Sequence, residues 1–436
     1  MKYFGTDGIR GKAYDYINES MSYAVGRSLS LLKAKRIIIS RDTRESGHMI
    51  VRQIRRGIID SGLEVIDIDI QSTPVLAYMT IKENCYGVMV TASHNPYQDN
   101  GIKIFNKGIK ITPDEESVIE DVIDGLIKLN PVSKGKEVVN FNPLFSYFSL
   151  YESFITPSTL KIVFDLANGA SIKPAKHVLL HVSNDIEFIG DEPNGFNINQ
   201  NVGSTHMEHI VNYVKENKFD LGFAFDGDGD RVLTCDSSGN IIDGDLMIYI
   251  FAIYLKENNL LKNNTVVLSK MSNLGLIEAL KSKDIKVVLS DIGDKFVIRE
   301  MEKHDAVLGG ENSGHIINKN LFISGDGLLN AVYLIKILTE KNTTLSKLIK
   351  DVVFYPDRLY NLRNVDKTLV HHPKVISLVN EITKELDGKG KVLVRASGTE
   401  PLIRISASAK KMEIVNDIIN RIVNMLESIQ QKRRNI

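Results

Sequence analysis

Three times along this chain, short β-rich runs alternate with helix-length amphipathic segments, and that rhythm restricts the fold more than any other feature. Through the first 130 residues the runs RIIISRD, LEVIDIDI and YGVMVTA alternate with MSYAVGRSLSLL and HMIVRQIRRGIIDSG, the order expected of a parallel or mixed α/β sheet. After a mixed stretch at 131–158 the rhythm restarts with KIVFDLANGA and FDLGFAFDGDGDR, and again from DGDLMIYIFAIYL through TVVLSKMSN and IKVVLSDIGD to DAVLGGENSGHII. The end of the chain differs. HPKVISLVNEITKELDGKG reads as a helix with Pro373 in its first turn and Gly388 past its end. Two strands, KVLVRA and LIRISASA, then flank SGTEP, and a last helix carries Ile414, Val415, Ile418, Ile419, Ile422, Val423 and Leu426 on one apolar face. The closing QQKRRNI reads as a solvated tail. The expected organisation is therefore three α/β domains, 1–140, 141–242 and 243–355, followed by a small α+β domain, 356–436. No repeat among the three units can be matched residue by residue.

The 436 residues are 43% hydrophobic and 25% charged, with 54 Lys and Arg cancelling 54 Asp and Glu. That balance points neither to nucleic acid nor to an anionic membrane. The N-terminal MKYFGTDGIRG lacks the apolar core of a signal peptide. The longest apolar run, LMIYIFAIYL, falls short of the ~20 residues of a membrane span and follows Asp243 and Asp245, as a buried helix would. Cys85 and Cys235 lack metal-site spacing and read as buried thiols. A cytoplasmic protein is the expectation.

Four polar loops interrupt this framework. In TASHNPYQDNGIKIF an apolar strand runs straight into Ser93, His94 and a Pro, as a strand does when it leaves its sheet at an edge to meet solvent or substrate. Ser93 is thus a candidate nucleophile, although a Ser in a turn commonly does no more than bond locally. In FDGDGDR, glycines let Asp226, Asp228 and Asp230 converge, and convergent carboxylates require a cation. Oxygen ligands suit Mg²⁺; a Ca²⁺ loop would need a Glu at the twelfth position, which is Ser237. In GGENSGH, Glu311, Asn312 and Ser313 can bond several hydroxyls and His315 can move a proton, though such a turn needs no function by itself. In RASGTEPLIR, the small residues Ser397, Gly398 and Thr399 between Arg395 and Arg404 have the chemistry of a phosphate cradle, or of a polar hairpin turn. Ser, Mg²⁺, hydroxyl reader and phosphate cradle together describe phosphoryl transfer on a phosphosugar.

GTDGIRG, TASHNPYQDNGIKIF, DGDGDR, GGENSGH and RASGTEPLIR occur in the order and approximate spacing of the α-D-phosphohexomutase superfamily, which the chain resembles over nearly its whole length. FGTDGIRG, DNGIKIF, FNINQNVGSTH and KMSNLG are most similar to its bacterial phosphoglucosamine mutase branch. The resemblance implies three similar mixed α/β domains and a smaller α+β domain around a central cleft. It implies that Ser93 is phosphorylated and that Asp226, Asp228 and Asp230 hold one Mg²⁺ with that phosphate. Arg10, His94 and Lys103 match positions beside the phosphoserine. Glu311 and Ser313, with Asn312 between them, match sugar contacts, and Arg395, Ser397, Gly398, Thr399 and Arg404 match the distal phosphate clamp. The implied reaction interconverts glucosamine 6-phosphate and glucosamine 1-phosphate through glucosamine 1,6-bisphosphate, with Lys103 or His315 as acid or base. The implied partner is a small phosphosugar, and a homodimer is compatible with the resemblance.

The related phosphomannomutase/phosphoglucomutase branch is the nearest alternative, and Asn312, where that branch is expected to carry Met, favours the amino sugar. A Mg²⁺-dependent phosphomonoesterase would have to admit water to the phosphoserine, against which the distal clamp argues. A non-catalytic sugar-phosphate sensor would not need the nucleophile and all three carboxylates. Two positions depart from the pattern: Lys295 in IGDKFV replaces a typical Arg and loses its planar fork, and Val202 precedes GSTH where Cys is usual.

Overall fold

β-Branched and aromatic runs bounded by Gly, Asn and Asp form four sheets in the computed structural model, which describes residues 2–434 apart from 131, 133, 140 and 398–401. The chain divides into two compact units, Met1–Met271 with Lys283–Lys350, and Ser272–Ser282 with Asp351–Ile436.

The first unit holds three sheets with one shared topology. In the first, Arg36–Arg41 lies parallel to both Glu64–Ile70 and Tyr86–Val90, and Tyr86–Val90 pairs antiparallel with Asp99–Asn106. In the second, Ile162–Asp165 lies parallel to Ile186–Ile189 and Leu221–Phe225, and Leu221–Phe225 pairs antiparallel with Val232–Asp236. In the third, Thr265–Ser269 lies parallel to Lys286–Ser290 and Leu308–Gly310, and Leu308–Gly310 pairs antiparallel with Ile316–Asn318. The spatial order second, first, third, fourth is thus repeated three times. The sequence hides this repeat because what recurs is strand connectivity, carried by interchangeable Val, Ile, Leu and Phe. Extra strands individualise the first sheet: Phe4–Gly5 and Gly8–Lys12 extend one side, and Lys136–Val138, from the mixed stretch, pairs with Glu64–Ile70 on the other.

Parallel strands covered on both faces should be apolar throughout, and Ile37, Ile38, Ile39, Val88, Met89 and Val90 are all fully buried. The apolar run at 246–255 lies in the helix Gly244–Glu257, capped by Asp243, whose Oδ1 accepts from Leu246 N at 3.0 Å. Both cysteines are buried and free. Among the described residues, no helix is long and apolar enough to cross a membrane.

The second unit contains an antiparallel sheet in the order Asp357–Arg363, Leu402–Ala409, Gly390–Ala396. Helix Pro373–Leu386 begins at Pro373 and closes through left-handed Asp387 and Gly388. Helix Met412–Arg434 buries Val415, Ile418, Ile419, Ile422 and Leu426, but Ile414 is 41% exposed and does not belong to the core face. The basic end is not simply a solvated tail. Its residues up to 434 continue this helix, Gln430 donates to Asn364 O at 2.6 Å, and Arg433 pairs with Asp366 at 2.8 Å.

Helices Glu19–Ser28 and Gly47–Ile59 cross backbone to backbone at Gly26 and Gly57. A Cβ on Gly26 would lie 2.2 Å from Ile54 O, and one on Gly57 would lie 2.4 Å from Tyr23 O. Gly26→Ala is therefore expected to destabilise the protein by about 1–3 kcal/mol, read as a lower chemical-unfolding midpoint; an unchanged midpoint would show that the helices can part without loss.

Candidate active site

Each repeated sheet delivers one polar loop from the turn between its third and fourth strands. These turns carry Ser93, the three aspartates and Glu311. Ser93 follows Tyr86–Val90, which is an interior strand, and its side chain is completely buried. The edge position expected from sequence is thus wrong: the chain leaves at a strand end inside the sheet. Thr91 Oγ1 accepts from Ser93 N at 2.9 Å, and Ser93 adopts φ +54°, a left-handed conformation costing a non-glycine residue roughly 1–2 kcal/mol. So held, Ser93 donates from Oγ to Asp226 Oδ2 at 2.5 Å and lies 3.2 Å from His94 Nδ1.

Asp226, Asp228 and Asp230 are 0, 0 and 4% exposed, and each offers an oxygen within 4.8 Å of the others. Packing explains the glycines between them: a Cβ on Gly227 would lie 2.6 Å from Ser93 O. Lys103, 1% exposed, donates to Asp228 at 2.7 Å and Asp230 at 3.2 Å, and lies 3.1 Å from Asp7. Asp7 also pairs with Arg10 and Lys110, and Lys110 reaches Asp294 at 2.6 Å. Arg231 completes the cationic side, 3.7 Å from Asp230 and 4.0 Å from Asp226.

Electrostatics sorts these groups. Burial, reinforced by Asp228 and Asp230, pushes the Asp226 carboxyl well above its ordinary value. Burial acts on Asp230 too, but Lys103 and His315 hold its carboxyl well below the usual range. Against burial, Asp228, Asp230 and Asp7 keep the Lys103 ammonium charged, raising it well above its usual value. His94 is lowered to about 4 by burial and by Arg231 and Arg10, and is neutral at pH 7. His315 is raised despite burial by Asp230, at 3.6 Å, and by Asp294.

A divalent cation fits this cluster. Asp228 Oδ1 is buried without a hydrogen-bond partner, the donor set is carboxylate oxygen, and the like charges around Asp226 drive it toward protonation unless a cation intervenes.

The third loop lies in the same unit. Glu311 Oε1 accepts from Gly293 N at 3.0 Å, and Ser313 Oγ is buried without a partner, open to a hydroxyl. Asn312 is exposed and holds the loop through its carbonyl, which accepts from Gly244 N at 3.0 Å. Lys295 donates to Gly5 O at 3.2 Å. In the second unit, Arg395 and Arg404 are direct cross-strand partners. Ser397 is buried, and its carbonyl accepts from Lys367 Nζ at 2.9 Å. Gly398 and Thr399 lie outside the described residues.

Sequence reasoning missed Asp7, Lys110, Asp294, Arg44, Asp42, Thr73 and Asn199. Thr73 donates to Asp228 Oδ2 at 2.6 Å. Asp7 was available inside GTDGIRG, and RDTR directly after a buried strand was the signal for Asp42 and Arg44. The rest come from separate parts of the chain, and no local motif could assemble them.

Comparison with known proteins agrees across the whole chain. The phosphoglucomutase/phosphomannomutase family is matched by its alpha/beta/alpha domain I at residues 1–128, domain II at 145–239, domain III at 243–354 and its C-terminal domain at 359–425. The phosphoglucosamine mutases of Bacillus subtilis and Geobacillus kaustophilus are each 40% identical to the chain, covering 98% of it and 98% of their own length. A phosphoglucomutase/phosphomannomutase family protein from Burkholderia thailandensis superposes with a TM-score of 0.80 at 21% identity, covering 97% of both chains. An Aspergillus fumigatus N-acetylphosphoglucosamine mutase, solved with GlcNAc-6P and magnesium, does so with a TM-score of 0.67 at 17% identity, over 98% of this chain and 95% of that one.

The raised Asp226 has a consequence for metal binding. Its folded-state value lies above the unfolded one, near 3.8, so above that pH the metal-free fold retains a proton that the unfolded chain releases, and this contribution to stability falls as pH rises. A divalent cation displaces that proton. The gain in melting temperature from Mg²⁺ should therefore grow between about pH 5 and pH 8; a gain independent of pH would contradict a protonated Asp226.

Proposed function

The chain belongs to the phosphoglucomutase/phosphomannomutase family, and from that premise we propose that it interconverts glucosamine 6-phosphate and glucosamine 1-phosphate. It is an isomerase that moves a phosphoryl group within its substrate. The observation that carries the reading is the buried Ser93 hydroxyl, 2.5 Å from Asp226 within a cluster of three carboxylates and Lys103. The 40% identity to phosphoglucosamine mutases over 98% of the chain supports the amino sugar. The fungal homologue solved with GlcNAc-6P and magnesium supports a phosphosugar and Mg²⁺.

In this reading Ser93 carries a phosphoryl group in the active protein. The Oγ–phosphorus bond breaks as a bond forms to O1 of the sugar, giving glucosamine 1,6-bisphosphate. The O1 proton passes to a base, and the departing Oγ takes up a proton. The 6-phosphoryl group then returns to Ser93 by the reverse exchange. Mg²⁺ held by Asp226, Asp228 and Asp230 would neutralise charge on the transferring group, whose transition state is loose and anionic. Lys103 and Arg10 add fixed positive charge beside it. Since Lys103 is held charged by three carboxylates, its role is electrostatic. His94, neutral and within reach of Oγ, would take the Ser93 proton when the phosphoryl group returns, and His315 is the candidate for the sugar oxygen. Glu311 and Ser313 read the sugar hydroxyls, and Arg395, Ser397 and Arg404 bind phosphate, with Gly398 and Thr399 assigned to the same clamp. We read the chain as four domains with boundaries near 140, 242 and 355, acting in the cytoplasm to supply sugar 1-phosphate for UDP-N-acetylglucosamine and cell-wall synthesis.

Two experiments test this. With Mg²⁺ and a catalytic amount of the matching bisphosphate, glucosamine 1-phosphate should be isomerised with kcat/KM at least ~100-fold above glucose 1-phosphate and mannose 1-phosphate, or about 2.7 kcal/mol of discrimination. Equal or faster turnover of the neutral sugars would move the protein to the phosphomannomutase/phosphoglucomutase branch. Ser93→Ala should abolish turnover while leaving sugar-phosphate affinity within about threefold, and full activity in that variant would remove Ser93 from the mechanism.

A further inference from the structure

Ser93 is held at both ends of its peptide unit by one buried hydrogen-bonded chain. Its N–H donates to Thr91 Oγ1 at 2.9 Å, Thr91 donates in turn to Asp42 Oδ2 at 2.6 Å, and Asp42 pairs with Arg44. Arg44 then closes the chain by donating through one terminal nitrogen to Ser93 O at 3.1 Å and Asn95 O at 2.5 Å. Asp42, Arg44 and Thr91 are all fully buried. From the segment after Phe196, Asn199 sends its side-chain nitrogen to the same two carbonyls, Ser93 O at 2.9 Å and Asn95 O at 3.1 Å. Asn199 is 6% exposed, and a Cβ on Gly227 would fall 2.6 Å from Ser93 O and 2.9 Å from Asn199 Nδ2. The aspartate loop thus packs directly on the point where both donors meet.

We propose that Arg44 and Asn199 are positioning residues that jointly hold Ser93 in its left-handed conformation, and with it the direction of Oγ toward Asp226. Neither touches the reacting atoms. At φ +54° Ser93 occupies a conformation that a non-glycine residue keeps only when its surroundings impose it. Two independent donors on the same pair of carbonyls are that imposition. Arg44 suits the task because its rigid planar guanidinium presents one terminal nitrogen to Asp42 and the other to the two carbonyls, a fixed spread that the single nitrogen of an ammonium lacks. Asn199 has a second role: it ties the serine loop of the first sheet to the segment between strands Ile186–Ile189 and Leu221–Phe225 of the second, so serine and aspartates are held as one piece.

The kinetic consequence rests on the phosphoserine reading, but the conformational one does not. The test uses full-length Asn199→Asp, which keeps size and replaces the donating nitrogen by an acceptor, with Asn199→Ala and Arg44→Lys as further variants. Hydrogen exchange in the metal-free protein should quicken about 10-fold or more at backbone amides 92–99, while strand Thr265–Ser269 keeps its protection. In the Mg²⁺-loaded protein, kcat should fall at least ~10-fold with KM within about threefold. Unchanged exchange at 92–99 in Asn199→Asp and Arg44→Lys would overturn the proposal. So would faster exchange throughout the chain with a matching fall in melting temperature, since that marks a purely structural contribution. If the protein turned over no phosphosugar, the exchange result would still decide whether the clamp exists.

Discussion

Three carboxylates cannot be buried within reach of one another and of a serine hydroxyl unless positive charge is buried with them. Asp226, Asp228 and Asp230 meet that condition through Lys103, Arg231 and, by way of Asp7, Arg10 and Lys110. The arrangement is lopsided: Asp230 is held ionised while Asp226, beside Ser93, is driven toward its neutral form. A cluster with excess negative potential at one carboxylate is prepared for a divalent cation. In the proposed reaction these fixed charges would face the transferring phosphoryl group without having to reorganise.

The repeated topology explains how remote segments reach this point. An interior parallel strand followed by an antiparallel return leaves a turn at the strand's carboxyl end, the usual place for ligands in α/β sheets. The first three sheets each make that turn, and each carries different side chains: Ser93, the three aspartates, and Glu311 with Ser313. One backbone solution has therefore been used three times, and the side chains on the turn distinguish its uses. The second unit has a different feature, two arginines that are direct partners on neighbouring antiparallel strands.

The α/β rhythm and the convergence of the three aspartates were legible because each depends on local pattern: apolar runs for buried strands, Gly spacing for converging carboxylates, Pro373 and Gly388 for a helix's two ends. The threefold topology was not, since strand order leaves no periodicity in sequence. Nor was the support around Ser93. Lys110, Asp294 and Asn199 act through contacts between distant segments. The edge assignment for the Ser93 strand failed for a physical reason: small polar residues mark where a strand ends, and an interior strand ends there too. The helical continuation to residue 434 was missed because a basic cluster reads as solvated, while its bonds to Asn364 and Asp366 arise only in the fold.

The central claim is that the buried cluster exists to pass a phosphoryl group through Ser93. The direct measurement is to incubate the Mg²⁺-loaded protein with phosphoryl-labelled glucosamine 1,6-bisphosphate, map the label by peptide mass, and chase with unlabelled glucosamine 1-phosphate. The account predicts label on Ser93 alone, returning to sugar phosphate during the chase. An unlabelled Ser93, or label lost to inorganic phosphate instead of sugar, would contradict it.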